Sequence, residues 1–112
     1  MSAVFNKLLE VESQDPEFVR AYAAESARIA AIDHIINQLD DARVGENVSK
    51  AALARAIGVD PSTVRRLLSA ESVNPTLSTV AEAAAALGMK LTLTPMSEEE
   101  RTRYTNPMRQ CA

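Results

Sequence analysis

Apolar side chains recur along this chain with two different periods. Between Pro16 and about Asp41, Tyr22, Ile29, Ile32, Ile36 and Leu39 come round at helical spacing, with abundant Ala and no further Gly or Pro. That pattern predicts one long helix, or two in succession. Asp15-Pro16-Glu17 supplies its start: a carboxylate for the free amides, a proline where no amide is needed, and an acid at the positive end of the dipole. Upstream, Val4, Phe5, Leu8, Leu9 and Val11 predict a short amphipathic helix or an ordered arm over residues 1–14. Gly45-Glu46-Asn47 reads as a turn.

Three shorter helices follow. Ser49 can cap one that runs to about Ile57, with Ala51, Leu53, Ala54 and Ile57 as its apolar positions and Gly58 as its stop. Asp60-Pro61 repeats the cap-plus-proline start, and Val64, Leu67 and Leu68 face inward over roughly two turns. After a loop from Ser72 to Pro75, an Ala-rich helix extends from Thr76 or Leu77 to Leu87, and Gly88 ends it.

From Met89 to Thr94 the period changes to two, which predicts a strand. No other segment pairs with it, so the strand is expected to pair with a copy of itself or with another protein. Met89, Leu91 and Leu93 form its apolar face and are the candidate dimerisation residues. Pro95 closes the segment, and residues 95–112 read as a polar, mobile tail. The expected organisation is thus an arm (1–14), a helical domain (15–94) and a tail (95–112).

Composition narrows the chemistry. A chain of 112 residues suits one domain with one modest core. No apolar run approaches the ~18 residues of a membrane span, and no cationic-then-apolar signal segment opens the chain. One Cys permits no internal disulfide, so a reducing cytoplasm is expected. One His and one Cys cannot build a structural zinc site or a nucleophile–base pair. Three glycines leave no Gly-rich phosphate loop. The expectation is a non-enzyme with no cofactor.

The net charge of −3 hides an uneven distribution. Residues 1–47 carry −5, residues 48–76 carry +2 and residues 77–112 carry zero. The positive stretch holds Lys50, Arg55, Arg65 and Arg66, and a polyanion site belongs there.

The same stretch has the layout of a helix-turn-helix. Ala54 stands where two helices would cross, Gly58 takes the turn, and Val64 is the branched residue that the second helix buries against the first. Leu53, Ile57, Val59 and Leu67 complete a small core. On the outer side, Ser62, Thr63, Arg65, Arg66 and Ser69 are the candidate DNA-binding residues, because Arg donates in a fork that matches guanine and Ser or Thr reach bases or phosphates. Lys50, at the start of the preceding helix, is placed for a backbone phosphate. The competing reading has Arg65 and Arg66 solvating a surface helix.

Residues 49–94 resemble the Cro/repressor-like (XRE) helix-turn-helix family, and within it the antidotes of bacterial toxin–antitoxin modules, the HigA type and related addiction-module antidotes. The resemblance is carried by Ser49-Lys50-Ala51-Ala52-Leu53-Ala54, Gly58-Val59, Ser62-Thr63-Val64 and Arg66-Leu67. Asn74-Pro75-Thr76-Leu77-Ser78-Thr79-Val80 and Ala86-Leu87-Gly88-Met89-Lys90-Leu91 extend it, and Asp15-Pro16-Glu17 is similar to a helix start that precedes the domain in such antidotes.

The resemblance implies an all-α, lambda-repressor-like bundle, here with a short C-terminal β-strand that pairs across a dimer. It also implies a homodimer on a palindromic operator in its own promoter, and a small basic toxin of the RelE/ParE superfamily held inactive as partner. The chain departs from the pattern at Lys50 and Pro61, where many members carry Gln. Base reading then shifts to Ser62, Arg65 and Arg66, and Asp60 is expected to act as a helix cap.

His34 and Cys111 read as bystanders, and Tyr22 and Ile29 as core. The acidic N-terminal third and Glu98-Glu99-Glu100 are the candidate toxin surfaces. Two alternatives stay open beside the antitoxin reading: a stand-alone repressor with the same DNA chemistry, and an adaptor that keeps the fold but binds only protein.

Overall fold

The computed structural model describes residues 15–69 and 74–110. The expected arm over residues 1–14, most of the loop before Asn74, and Cys111 lie outside the described residues. The regular elements are helical: α1 (Pro16–Gly45), α2 (Lys50–Ile57), α3 (Pro61–Leu67), α4 (Leu77–Ala86), α5 (Glu98–Glu100), a π-helical turn (Arg101–Thr105) and α6 (Asn106–Arg109).

Helix α1 is longer than its sequence pattern indicates and has no break across its 30 residues. The Asp15 carboxylate accepts a hydrogen bond from the Glu17 amide at 3.0 Å, as the capping expectation requires. Arginines 20, 28 and 43 each pair with a carboxylate three residues earlier: Glu17, Glu25 and Asp40. The Arg20 guanidinium holds the Glu17 carboxyl below the usual carboxylate range.

One closure ends three of the helices. After α1, Asn47 takes a left-handed conformation (φ 58°), and the Val48 amide bonds back to the Arg43 carbonyl at 3.0 Å. After α2, Gly58 does the same (φ 74°), with the Val59 amide on the Ala54 carbonyl at 3.0 Å. After α4, Gly88 (φ 74°) lets the Met89 amide reach the Ala84 carbonyl at 2.8 Å. Each reversal satisfies carbonyls that a helix end leaves bare.

The contacts divide the chain into two units, Ala31–Leu93 and Met1–Ala30 with Thr94–Ala112, so the boundary falls inside α1. The core of the first unit is built by inward faces. Helix α1 sends Leu39, α2 sends Leu53 and Ala54, α3 sends Val64 and Leu67, and α4 sends Val80, Ala83 and Ala84, with Leu87 behind. Ile35, Ala42, Val48, Ile57, Val59 and Leu68 pack around it half-buried.

In the other unit Phe18 stacks on Tyr22 at 6.0 Å between ring centroids. Phe18, Val19, Tyr22, Ala23 and Tyr104 line a cavity of about 370 Å³ there.

Three expectations need correction. Tyr22 and Ile29 are not core: they are 50% and 48% exposed, because the packed core of Ala31–Leu93 covers only the second half of α1. No strand forms among the described residues, and 89–94 is irregular and exposed. The alternation is present, but a strand exists only through a ladder partner, and the described residues offer none.

The polar tail, third, is helical from Glu98 to Arg109. Ser97 and Glu100 form a reciprocal capping box, with Ser97 Oγ accepting from the Glu100 amide at 3.2 Å and Glu100 Oε1 accepting from the Ser97 amide at 3.0 Å. Pro107 lacks the amide that would bond the Arg103 carbonyl, and the helix widens into its π turn just ahead of it.

Leu53 has no exposed surface, so Leu53→Ala is expected to lower the unfolding free energy by about 2–5 kcal/mol in urea titration. A Cβ on Gly58 would meet nothing within 4 Å. Gly58→Ala is therefore expected to cost only the left-handed backbone penalty of about 1–2 kcal/mol. A loss at Gly58→Ala well above about 2 kcal/mol would show that the turn carries more than this backbone penalty.

Candidate nucleic-acid interface

The candidate site stands on the α2–turn–α3 unit, so its geometry begins with what fixes those helices. Ser49 Oγ accepts from the Ala52 amide at 3.0 Å and caps α2, which places Lys50 at the first helical position, exposed. Leu53 and Ala54 then turn inward with no exposure. Gly58 reverses the chain and Pro61 opens α3 at a position where no amide is missed. Val64 and Leu67 are buried on the inner side of α3, which leaves Ser62, Arg65 and Arg66 exposed and Thr63 half-buried.

The cations of this unit are uncommitted. Lys50, Arg55, Arg65 and Arg66 make no ion pair and no side-chain hydrogen bond among the described residues, in contrast to the three paired arginines of α1. Lys90, Arg101 and Arg109 also form no ion pair among the described residues, but they lie outside the α2–turn–α3 unit. Two free guanidinium forks on successive residues of an exposed helix face can donate to phosphate or to base edges.

Ser69, a candidate site residue, and Asp60, an expected cap, each have local surroundings that bear on those readings. Ser69 lies beyond the end of α3, and its hydroxyl donates to the Arg66 carbonyl at 3.1 Å. It ties the helix end in the way short hydroxyl side chains do. Asp60 occupies the cap position of α3 with extended backbone, yet its side chain makes no capping hydrogen bond. The cap expected there is not made; the Asp60 carbonyl accepts from the Thr63 amide at 2.9 Å, and the carboxylate stays exposed.

Sequence reasoning missed one organising side chain. Arg43, 17% exposed at its side chain, donates from Nε to Asp40 Oδ1 at 2.9 Å and from Nη1 to the Val48 carbonyl at 3.0 Å. The Val48 amide in turn bonds the Arg43 carbonyl, so residue 43 holds both polar groups of residue 48. The turn that delivers Ser49 and Lys50 is thereby fixed from both sides. Its signal was a basic residue in the last turn of a helix, where Arg reaches bare carbonyls, but which carbonyl depends on the turn geometry.

Arg43→Ala should cost about 1–3 kcal/mol of stability, since the half-buried Val48 carbonyl loses a charged donor. Urea denaturation reads the loss, and hydrogen exchange at the Val48 amide should accelerate in the same variant. An unchanged exchange rate would show that the turn holds without the guanidinium.

No helix among the described residues is long and apolar enough to cross a membrane. No curated protein and no solved structure matches the chain. Residues 39–93, which span the end of α1 through Leu93 and contain every element of the site just described, match the model of the helix-turn-helix family, a family of DNA-binding domains and not of enzymes.

Proposed function

We propose that this chain is a DNA-binding transcriptional regulator in which α3 enters the major groove and the start of α2 rests on the phosphate backbone. The observation that carries the reading is the set of four exposed, unpaired cations on the α2–turn–α3 unit of an otherwise acidic chain. Arg65 and Arg66 are the base and phosphate donors of α3, with Ser62 and Thr63 at its first turn. Lys50 meets a phosphate where α2 begins, and Arg55, exposed on the same helix, is a further candidate for the backbone.

The finer reading is an antitoxin that represses its own operon and neutralises a basic toxin of the RelE/ParE superfamily. Its support is the resemblance of Asn74-Pro75-Thr76 and Ala86-Leu87-Gly88 to the addiction-module antidotes, together with acidic surface away from α3. Asp33 and Asp41 on α1 form no ion pair among the described residues, and Glu98-Glu99-Glu100 are exposed. Either group of carboxylates, in its own unit, is a surface that a basic partner could meet.

Arg66→Ala is expected to weaken binding to the native upstream DNA by about 1–3 kcal/mol and to relax its sequence preference. Equal affinity of variant and wild type in fluorescence anisotropy would remove Arg66 from the contact. Lys50→Ala should instead weaken all sequences alike and make the salt dependence shallower by about one unit of slope.

The antitoxin reading is tested by expressing the tagged chain from its locus with its immediate neighbours and weighing what co-purifies. A stoichiometric small partner that arrests growth when expressed alone is the expected result. Clearly expressed neighbours that stay behind would leave the stand-alone repressor.

A further inference from the structure

The unit made of Met1–Ala30 and Thr94–Ala112 has a cavity of its own, about 370 Å³, that DNA binding leaves unused. That volume lies at the small end of the ~300–1,000 Å³ of ligand pockets. One wall is a single face of α1, where Phe18, Val19, Tyr22, Ala23 and Ser26 follow one another at helical spacing. The other wall comes from the C-terminal helical stretch, through Arg103, Tyr104 and Pro107.

Two features set these walls apart from ordinary surface. Ala23 is 4% exposed although it lies outside the core of the other unit, so a methyl group stands where a larger side chain would fill the space. Arg103 and Tyr104 both belong to the π turn, in which the Asn106 amide bonds the Arg101 carbonyl five residues back. Such turns recur at functional sites, and this one brings two adjacent side chains to the same cavity.

We propose that this cavity binds a small aromatic carboxylate, with its ring among Phe18, Tyr22 and Tyr104 and its carboxylate on Arg103.

The lining chemistry selects that class of ligand. The chain has two Phe, two Tyr and no Trp, and three of these four rings line the cavity. Rings so gathered take a flat aromatic body by stacking or edge contact. Arg103 is the one charged side chain on the walls among the described residues. It repels a cation, which aromatic rings could otherwise hold, and its fork matches a carboxylate. Glu99 accepts from Arg103 Nη2 at 3.2 Å, in a pair whose carboxylate is 83% exposed. A pair so exposed holds weakly, and further donors of the fork remain for a second carboxylate.

The probe is 2-naphthoate, two fused rings with one carboxylate. In calorimetric titration the full chain should bind it at one site, and should bind the neutral 2-naphthamide about tenfold or more weaker. Arg103→Met should remove that preference. Arg109→Met, which alters an exposed cation of the same stretch outside the walls, should keep it. Both tyrosines of the chain line the cavity, so the ring signals of both should shift in NMR spectra as 2-naphthoate is added.

No saturable binding up to the solubility limit of 2-naphthoate overturns the proposal. So does equal affinity for the amide, an equal loss in the two methionine variants, or binding that leaves either tyrosine signal in place. Nuclear Overhauser contacts from Tyr22 and Tyr104 to Phe5 or Leu8 that 2-naphthoate does not displace would make residues 1–14 the occupant, and overturn it as well. The comparison of acid with amide needs no variant, so it decides the matter even where Arg103→Met fails to fold. None of these outcomes depends on DNA binding.

Discussion

Everything on the outer surface of the α2–α3 unit depends on how closely those two helices cross. Leu53, Ala54 and Val64 have no exposed surface, and Leu67 is 4% exposed. Ala54 contributes a single methyl group, and a longer side chain there would have to displace atoms packed as densely as an organic crystal. Because the inner faces are fixed in this way, the outer faces have no freedom of rotation. Arg65 and Arg66 follow Val64 directly, so their direction is set by a residue they do not touch. The candidate interface is rigid for reasons that lie entirely beneath it.

The turns carry the same logic into the backbone. Asn47, Gly58 and Gly88 each adopt a left-handed conformation, and each lets the following amide return to a helix carbonyl. Arg43 adds a side-chain tie to the first of these, which is the one that sets where Ser49 and Lys50 begin α2. A phosphate contact at Lys50 would therefore be placed by an arginine seven positions earlier, part-buried and already committed to Asp40 and Val48. A residue can thus matter to binding while having no donor left for a ligand.

How far the sequence disclosed this structure depends on the range of the interaction concerned. The helix-turn-helix was legible because its determinants are local: a hydroxyl three residues ahead of the amide it caps, a glycine at the turn between its two helices, apolar side chains at helical spacing. Residues 39–93 match a family model for the same reason. The C-terminal helix was also written locally, in Ser97-x-x-Glu100, although the polar composition of residues 95–112 read as a mobile tail.

What could not be read was non-local. Whether Tyr22 and Ile29 are covered depends on where the core stops, not on their spacing. Whether 89–94 becomes a strand depends on a partner that periodicity cannot supply. Asp60 shows the limit even of local rules, since it holds the cap position without making the capping bond.

The charge distribution carries the last step. A chain of net charge −3 is repelled by a polyanion at long range, so its composition alone opposes nucleic-acid binding. At physiological ionic strength, however, charges act over a Debye length of about 8 Å, so what matters is which groups lie within contact distance of the ligand. On α1 three carboxylates are already met by arginines of the same helix, which shortens the reach of its negative field. On α2 and α3 the cations have no such partners among the described residues. On the proposed function, attraction would begin only once the duplex is close enough to meet the shape of the α2–α3 surface. A chain built like this would gain little from random encounters with DNA, and would draw its affinity from sites where both arginines of α3 can be seated at once.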